Sequence, residues 1–521
     1  MEEQPRSLVG LYVVVGSQVS VLLGYDLGII AAALDSIREY FHTTDAQLGW
    51  LVGVFALVQV IGTPVTGMAA NRWGRRTMLG ISATIATVGA SMMAAASSFN
   101  MLFSGRMVTG IGVGAGLAQA PVYLAELAPS RDRGFVVSQI EVFLNVGIFL
   151  GFVVGLLTRP LGSPLDFRAM FALGALLALV LVVSLRFVPE SPRWLLSRGR
   201  VEEAREALTL TVGREEVDKM FIELSHEVGT SGHPSSAGGF APAIGPEQPA
   251  ATLHSVWVAL ALAMSVSCCG IDAITYYSAR IFEEAGIKNE FDRRLALVLL
   301  GFVKTGMIIV GAGNVDVVGR KFLLILSNAS MAAAGFLFLI PGLSAKNPSF
   351  CIAGVLCYAG SFSVGVGPCF YLLATEIWPT HLRAIGSSFA HCCRGLGAAL
   401  LQSFFLTVAD RITYPAVMSI CSASCLVSIP IVWYSFPETK GRSLEEIIRT
   451  RKSRRSLDGN ESMRRMSFDQ ALQLLSAEEW GDRRRGPPMK PAEEESIHAS
   501  HTGDSGLASR NISEKRGDGS W

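Results

Sequence analysis

Long apolar runs separated by short polar intervals fill the chain up to about residue 436. The first six runs lie near 9–33, 46–69, 78–98, 101–124, 135–157 and 167–188. After a longer polar interval, six more lie near 253–279, 295–315, 322–342, 350–374, 384–408 and 414–436. A helix needs about 20 residues to cross the roughly 30 Å of bilayer hydrocarbon, and these runs have that length. The pattern predicts an all-α membrane protein with twelve transmembrane helices in two six-helix bundles.

The polar intervals set the predicted domain boundaries. We expect an N-terminal segment 1–8, a bundle 9–188, a central loop 189–252 with short helices and a flexible linker, a second bundle 253–436, and a largely disordered tail 437–521. Lysine and arginine concentrate after the even-numbered runs, so the positive-inside rule predicts cytosolic N- and C-termini.

Two segments qualify this charge pattern. The interval after the seventh run carries Lys288, Arg293 and Arg294, which is an exception to the rule. In the tail, Ser456 and Ser467 follow basic clusters and are candidate sites for a kinase. A solvated basic stripe beside the membrane is the simpler interpretation of that tail.

Composition agrees with a membrane protein. Of 521 residues, 50% are hydrophobic and 17% are charged, and the net charge of +1 gives no reason to expect a nucleic-acid partner. All nine cysteines fall in the second half without the spacing of metal ligands, so we expect small buried hydrophobic side chains. No arrangement typical of a catalytic or metal centre is evident, and we predict neither an enzyme nor a cofactor.

Three short motifs occur twice, with the second copy 245 to 250 residues after the first. The pairs are Asn71–Arg76 with Asp316–Lys321, Glu126–Arg133 with Glu376–Arg383, and Pro189–Arg193 with Pro437–Gly441. A near-constant offset indicates two copies of one unit. Many secondary carriers are built from duplicated bundles that hold the substrate between them.

Further motifs, in combination with these, carry a family resemblance. They are Gly24–Asp26, Gly105–Gly114, Pro121–Glu126, Pro189–Leu195, Gly270–Tyr277 and Pro437–Gly441. From about residue 9 to 448 the chain resembles the sugar porter family of the major facilitator superfamily. Arg133–Phe143, Gly270–Asp272 and Val303–Thr305 are similar to the proton-coupled polyol and monosaccharide transporters of plants. The resemblance implies the major facilitator fold, a plasma-membrane location, and transport of a sugar or polyol by alternating access together with protons.

Two charges lie inside apolar runs of the first half. Asp26 is in the middle of the first run and Arg106 is early in the fourth. Charges at membrane depth are costly unless they are paired or hydrated, so each needs the other or water. The resemblance implies that Asp26 exchanges a proton as access alternates. A static structural ion pair is the alternative.

Candidate substrate-binding residues lie in both halves. Glu141 in the fifth run offers a carboxylate that accepts two hydroxyl protons, which suits a vicinal diol. Asp272, Lys304 and Arg394 are charges in the second half, and some pairing among them is expected, with contact to substrate left open. By resemblance, Tyr371 takes the place of a tryptophan that stacks on the sugar.

Gating residues are predicted at both ends of the bundle. Tyr276 and Tyr277 end the apolar part of the seventh run, where their rings would cap an outer vestibule while their hydroxyls stay wet. Interfacial tyrosines are also common without any gating role. The resemblance further implies salt bridges that close the inner face, formed by Arg75, Glu126, Arg133, Glu190, Arg320, Glu376 and Arg383.

Some positions depart from the family pattern. Val266 and Ser267 stand where sugar porters carry a glutamine pair that binds the sugar, and Arg394 replaces an asparagine. Each lost partner for a polyhydroxylated ligand costs about 1–3 kcal/mol, which argues against the usual hexose. Two rivals remain, a passive facilitator and a non-transporting sensor that signals through its C-terminal tail. The variant Asp26→Asn tests the first rival, and deletion of residues 449–521 tests the second.

Overall fold

The computed structural model describes residues 6–127, 133–211, 217–222, 224–225, 249–378 and 383–436. Within them lie 12 helical spans long and apolar enough to cross a membrane, which confirms the predicted number. The side chains of Arg133, Glu376 and Arg383, and the whole of Ser456 and Ser467, lie outside the described part of the chain. The predicted domain boundaries stay predictions.

The first half contains six long helices. They are α1 (Arg6–Phe41), α2 (Asp45–Trp73), α3 (Arg75–Ala94), α4 (Phe99–Leu127), α5 (Arg133–Thr158) and α6 (Leu165–Ser184). Helix α1 continues past the end of its apolar run at residue 33, and Thr44 and Gln47 then form a capping box that starts α2. Two short helices follow in the central loop, α7 (Pro192–Ser197) and α8 (Val201–Thr211).

The second half is less regular. Its helices are α9 (Pro249–Cys268), α10 (Ile271–Glu284), α11 (Glu290–Val318), α12 (Arg320–Ala334), α13 (Ile340–Ser344), α14 (Pro348–Val364), α15 (Val366–Glu376), α16 (Arg383–Ile412) and α17 (Tyr414–Ser435). The seventh span breaks between α9 and α10 at Gly270, whose φ is 72°, and the tenth breaks between α14 and α15 at Gly365. A π-helical segment, Gly335–Leu339, joins α12 to α13. Broken helices at membrane depth are tolerated where they line a protein interior, and apolar periodicity does not reveal them.

Successive spans give the molecule two faces. We call the side that carries the α1–α2, α5–α6 and α10–α11 connections the loop face, and the side where α1 begins and α17 ends the terminal face. Within the first half α1 packs on α5 and α3 on α4, and within the second α9 packs on α16 and α12 on α17. Helix α2 packs on α16, and α5 on α11, which joins the two halves.

The sequence repeat is also a structural repeat. Gly74 between α2 and α3 has a φ of 98°, and Gly319 between α11 and α12 has a φ of 104°. These two turns are 245 residues apart, as the repeated motifs require. A Cβ at Gly74 would lie 2.3 Å from Glu190 Oε2, the end of a flexible side chain, so it is the backbone angle that requires glycine in this turn.

The nine cysteines are unpaired thiols. Five are buried as expected, but Cys268 and Cys357 are exposed, because their helices turn these positions to the outer surface of the bundle. The prediction of buried side chains is therefore wrong for these two.

Small residues allow α1 and α5 to pack closely. A Cβ built on Gly24 would lie 1.8 Å from the Leu144 carbonyl oxygen, whereas one built on Gly306 in α11 would meet nothing within 4 Å. We expect Gly24→Ala to destabilise the protein by more than the 1–3 kcal/mol that is typical of overpacking, because backbone is harder to displace than a side chain. Thermal unfolding in detergent tests this, with Gly306→Ala as the matched control. Equal unfolding temperatures for the two variants would contradict the prediction.

Candidate functional site

Asp26 and Arg106 form a buried ion pair between α1 and α4. Arg106 Nη1 donates to Asp26 Oδ2, and the Arg106 side chain is fully buried. The guanidinium carbon lies 4.2 Å from the centre of the Phe55 ring, which adds a cation–π contact. Each charge therefore has the partner that its depth in the bundle requires.

The Asp26–Arg106 pair is surrounded by unused hydrogen-bonding groups and a small cavity. Among the described residues, Arg106 Nε and Nη2 are buried without a hydrogen-bond partner within 3.5 Å. A cavity of about 20 Å³ borders Asp26, Tyr25 and Thr109, which is enough for one water molecule. Tyr276 from the second half lies close to both charges of the pair and also to Asp272. It therefore connects this pair to a second group of charges.

That second group lies where α9, α10 and α16 of the second half meet. Asp272 in the first turn of α10 pairs with Arg394 on α16 at 3.2 Å, and both side chains are about a quarter exposed. The Arg394 guanidinium carbon lies 5.6 Å from the centre of the Phe370 ring. Ser267 donates to the Arg394 carbonyl oxygen at 3.1 Å, so its hydroxyl links α9 to α16. Val266 is buried and offers no polar group.

Lys304 and Glu141 face the same region from α11 and α5. Lys304 Nζ donates to Thr275 Oγ1 at 3.2 Å, so it is Arg394 and not Lys304 that pairs with Asp272. Glu141 is buried, and its Oε2 has no hydrogen-bond partner within 3.5 Å among the described residues. The phenol of Tyr371 lies beside the Glu141 carboxyl group. The region thus presents two carboxylates, two cations and a phenol to whatever occupies it.

The two tyrosines of the seventh span differ from expectation. Both are buried, and the Tyr277 hydroxyl donates to the Gln402 carbonyl oxygen at 2.7 Å. The Tyr277 ring stacks on Phe405 with centroids 5.1 Å apart. The expectation of wet hydroxyls is therefore wrong, because both side chains are enclosed by the packed helices and Tyr277 bonds to α16.

The repeated motif of the first half forms a network on the terminal face. Arg75 pairs with Glu126 at 3.1 Å, joining α3 to α4. Glu190 Oε1 accepts from the backbone amides of Arg75 and Arg76, both at 2.9 Å, and so caps the N-terminus of α3. The described contacts of Arg75 and Glu126 hold the first half together.

A surface cleft of about 610 Å³ adjoins this network. Glu190, Trp194 and Arg200 are among its lining residues. It is separate from the central charges, and Arg200 already pairs with Glu203 at 2.5 Å. We do not assign substrate to it.

Sequence reasoning missed a set of ion pairs that joins the halves on the loop face. Arg293 Nη2 lies 3.2 Å from Asp35 Oδ2, and Arg294 Nη2 lies 2.9 Å from Asp166 Oδ2. Arg294 also donates to the Gly155 carbonyl oxygen at 2.5 Å. We call the four charged residues the loop-face clamp.

The clamp explains the exception to the positive-inside rule. Arg293 and Arg294 are buried, and Asp166 is only 2% exposed, so these arginines are structural charges between bundles. The one sequence signal for this structural role was the position of the two arginines after the seventh run, where the positive-inside rule does not expect them. The partners lie more than 120 residues away in sequence, so no local pattern identifies them.

The fold and the charges between its halves define a membrane carrier built from two six-helix bundles. A family model described as sugar (and other) transporter matches residues 12–450, and the chain belongs to this family. The chain is 33% identical over 437 residues to probable polyol transporter 4 of Arabidopsis thaliana, with 82% of each chain covered. It is 31% identical over 454 residues to polyol transporter 5 of the same plant, covering 83% of this chain and 84% of that one.

Solved structures share the fold. An inward-open conformation of the xylose transporter XylE from E. coli gives a TM-score of 0.72 at 23% identity, covering 85% of this chain and 99% of that one. XylE described as a proton:xylose symporter with bound 6-bromo-6-deoxy-D-glucose gives 0.70 at 24% identity, with the same coverage. The family match and the 12 membrane-spanning helices of the described residues identify the chain as a multi-pass integral membrane transporter.

Proposed function

We propose that this protein carries a small polyhydroxylated solute, a sugar or polyol, across the membrane in symport with protons. The observation that carries the coupling is the buried Asp26–Arg106 pair, whose charges Tyr276 links to the central region. A proton on Asp26 would weaken that pair, and its loss would restore it, so the pair can follow alternating access. Relatives described as polyol transporters and a structural neighbour described as a proton:xylose symporter support the proposal.

The solute would lie between the halves, among the central charges and Tyr371. Hydroxyl groups both donate and accept, so they suit a region that offers carboxylates and cations together. The proposed substrate-binding residues are Glu141, Ser267, Asp272, Lys304, Tyr371 and Arg394. Because Ser267 already bonds the Arg394 carbonyl oxygen, its part in binding is to hold α16 in place.

The charge pattern of the loops is the basis for assigning the two faces to the two sides of the membrane. We place both termini in the cytosol and the protein in the plasma membrane, which makes the loop face the outer face. With this orientation, the carrier is closed to the outside, because the ion pairs of the loop-face clamp are formed and Tyr276 and Tyr277 are buried. The repeated motif residues would close the inner face in the opposite state. Ser456 and Ser467 remain proposed kinase sites.

Uptake into proteoliposomes tests the proposal. Labelled sorbitol, mannitol, inositol, xylose and glucose are each supplied with and without an inward proton gradient. We expect at least one of them to accumulate only with the gradient. With the potential held at zero, each pH unit supports about tenfold accumulation for every proton carried.

Two other outcomes would overturn parts of the proposal. Equal flux with and without the gradient would make the protein a passive facilitator. No flux of any of these solutes, in protein shown to be folded, would favour the sensor or a solute outside the sugars and polyols.

A further inference from the structure

We infer that Glu141 binds a second proton together with the solute, and that Lys304 is the counter-charge that drives this proton off when the solute leaves. The inference rests on the proposed symport function and adds a proton site within the solute-binding region. It is separate from the Asp26–Arg106 pair.

Glu141 and Lys304 are exceptions to a rule that other buried charges obey. In the described part of the helices, Asp26 pairs with Arg106 and Asp166 with Arg294. Glu141 and Lys304 are 9% and 5% exposed, and among the described residues neither lies within 4.0 Å of an oppositely charged group. Unpaired charge at this depth is costly, so this arrangement needs a reason.

The helices that carry the two side chains, α5 and α11, pack against each other across the interface between halves. Thr305, next to Lys304 on α11, donates to the Asn145 carbonyl oxygen on α5 at 3.0 Å. Asn145 is one turn from Glu141 and donates to the Glu141 carbonyl oxygen at 2.9 Å. The Glu141 and Lys304 charges are close enough to act on each other, yet more than 4.0 Å separates them.

Each side chain has unused bonding capacity. In the part of the chain that the structure describes, Glu141 Oε2 is buried without a hydrogen-bond partner within 3.5 Å. Lys304 has three donors, and Thr275 Oγ1 is the described partner of one of them. We call the separation of more than 4.0 Å between this carboxyl oxygen and this ammonium group the gap. A solute hydroxyl group placed there would act as both donor and acceptor.

The remaining charges near Glu141 balance each other. Arg394 on α16 and Asp272 on α10 form an ion pair, and Tyr371 on α15 contributes a neutral phenol. Lys304 is thus the one cation near Glu141 that is not already paired with a carboxylate among the described residues. The protonation of Glu141 then depends on how near Lys304 comes.

The presence of the solute sets the distance between the Lys304 ammonium group and the Glu141 carboxyl group. With solute in the gap, Lys304 stays away, and protonated Glu141 has both a donor for the solute and no unpaired charge. When the solute leaves, the flexible Lys304 side chain reaches the carboxyl group. The Glu141 O–H bond then breaks, the proton passes to water in the solute pathway, and the carboxylate pairs with the ammonium group. Solute and proton are therefore bound and released together.

An infrared titration of the protein in lipid vesicles, without solute, tests the proton site. The carbonyl-stretch band of a protonated carboxyl group should titrate in the unmodified protein and lose one component in Glu141→Gln. Glu141→Asp should restore a titrating band. In Lys304→Met the Glu141 component should persist to higher pH, because the ionised form has lost its counter-charge. Asp45→Asn, which removes a carboxylate that pairs with Arg38 at the start of α2, should leave the component in place.

The limiting accumulation of labelled sorbitol measures the stoichiometry. At one pH unit and zero potential, two protons support about hundredfold accumulation and one proton about tenfold, whatever the rate. We expect the unmodified protein to exceed tenfold accumulation and Glu141→Gln to reach tenfold or less.

The outcomes separate the inference from the proposed function. Absence of a Glu141-dependent infrared band, an unmoved band in Lys304→Met, or equal limits for the unmodified protein and Glu141→Gln would each overturn the inference. If the unmodified protein fails to accumulate sorbitol, the proposed function fails for this probe, and the infrared result alone decides on the proton site.

Discussion

Asp26→Asn should abolish gradient-driven accumulation of the solute while solute exchange across the membrane continues. Asparagine keeps the size of aspartate but leaves Arg106 without an anionic partner in a fully buried position. The variant resembles the protonated carrier, and its empty form cannot restore the ion pair that we expect the return step to need. Proton binding to Glu141 does not re-form the Asp26–Arg106 pair, so it does not allow the empty variant to return across the membrane. We expect accumulation to fall from at least tenfold per pH unit to none.

Two assays separate coupling from folding. Uptake driven by a proton gradient reports coupling, and counterflow of labelled against unlabelled solute reports translocation. Asp45→Asn is the matched control, because Asp45 pairs with Arg38 at the more exposed start of α2. An Asp26→Asn protein that still accumulates solute with the pH gradient would show that the pair is a static structural one.

Arg294→Met should open the loop face. The substitution leaves the Asp166 carboxylate, which accepts from Ser36 and Arg294, buried without a cation. Breaking one partner of a buried pair costs about 3–5 kcal/mol, and opening the loop face would relieve that cost by admitting water. An energy change of that size shifts the balance between closed and open states by more than about a hundredfold.

Hydrogen–deuterium exchange measures this shift. The ends of α1 and α10 and the start of α11 should exchange faster in Arg294→Met. Arg159→Gln is the matched control, because Arg159 and Glu290 are 3.5 Å apart and more than a third exposed, and such pairs contribute about 1 kcal/mol or less. Adding Asp166→Asn to Arg294→Met should reverse part of the change, since no unpaired charge remains. Equal exchange in Arg294→Met and Arg159→Gln would contradict the clamp.

The clamp also shows how one sequence signal acquires two meanings. Positive charge in a loop normally reports which side of the membrane the loop occupies. Arg293 and Arg294 break that pattern because their charges are neutralised by Asp35 and Asp166 from the other half. Lys288 in the same connection is exposed and carries no such pair among the described residues.

Apolar runs of membrane-spanning length, together with one repeat offset, were enough to predict twelve spans, two related halves and a carrier. The bilayer imposes that length on every helix, and duplication leaves its offset in the sequence. The need of Asp26 and Arg106 for a partner was likewise foreseeable, because an isolated charge at that depth is too costly to persist.

Only the tertiary structure decided how the charges pair and where helices break. Asp272 might have met Lys304 or Arg394, and packing of α10 against α16 selected Arg394. The breaks at Gly270 and Gly365, the inward turn of Tyr277 and the gap between Glu141 and Lys304 depend on neighbouring helices that are distant in sequence. Span length is a property of each segment alone. Pairing depends on how side chains from several segments share one low-dielectric interior, and that information exists only once the halves are packed.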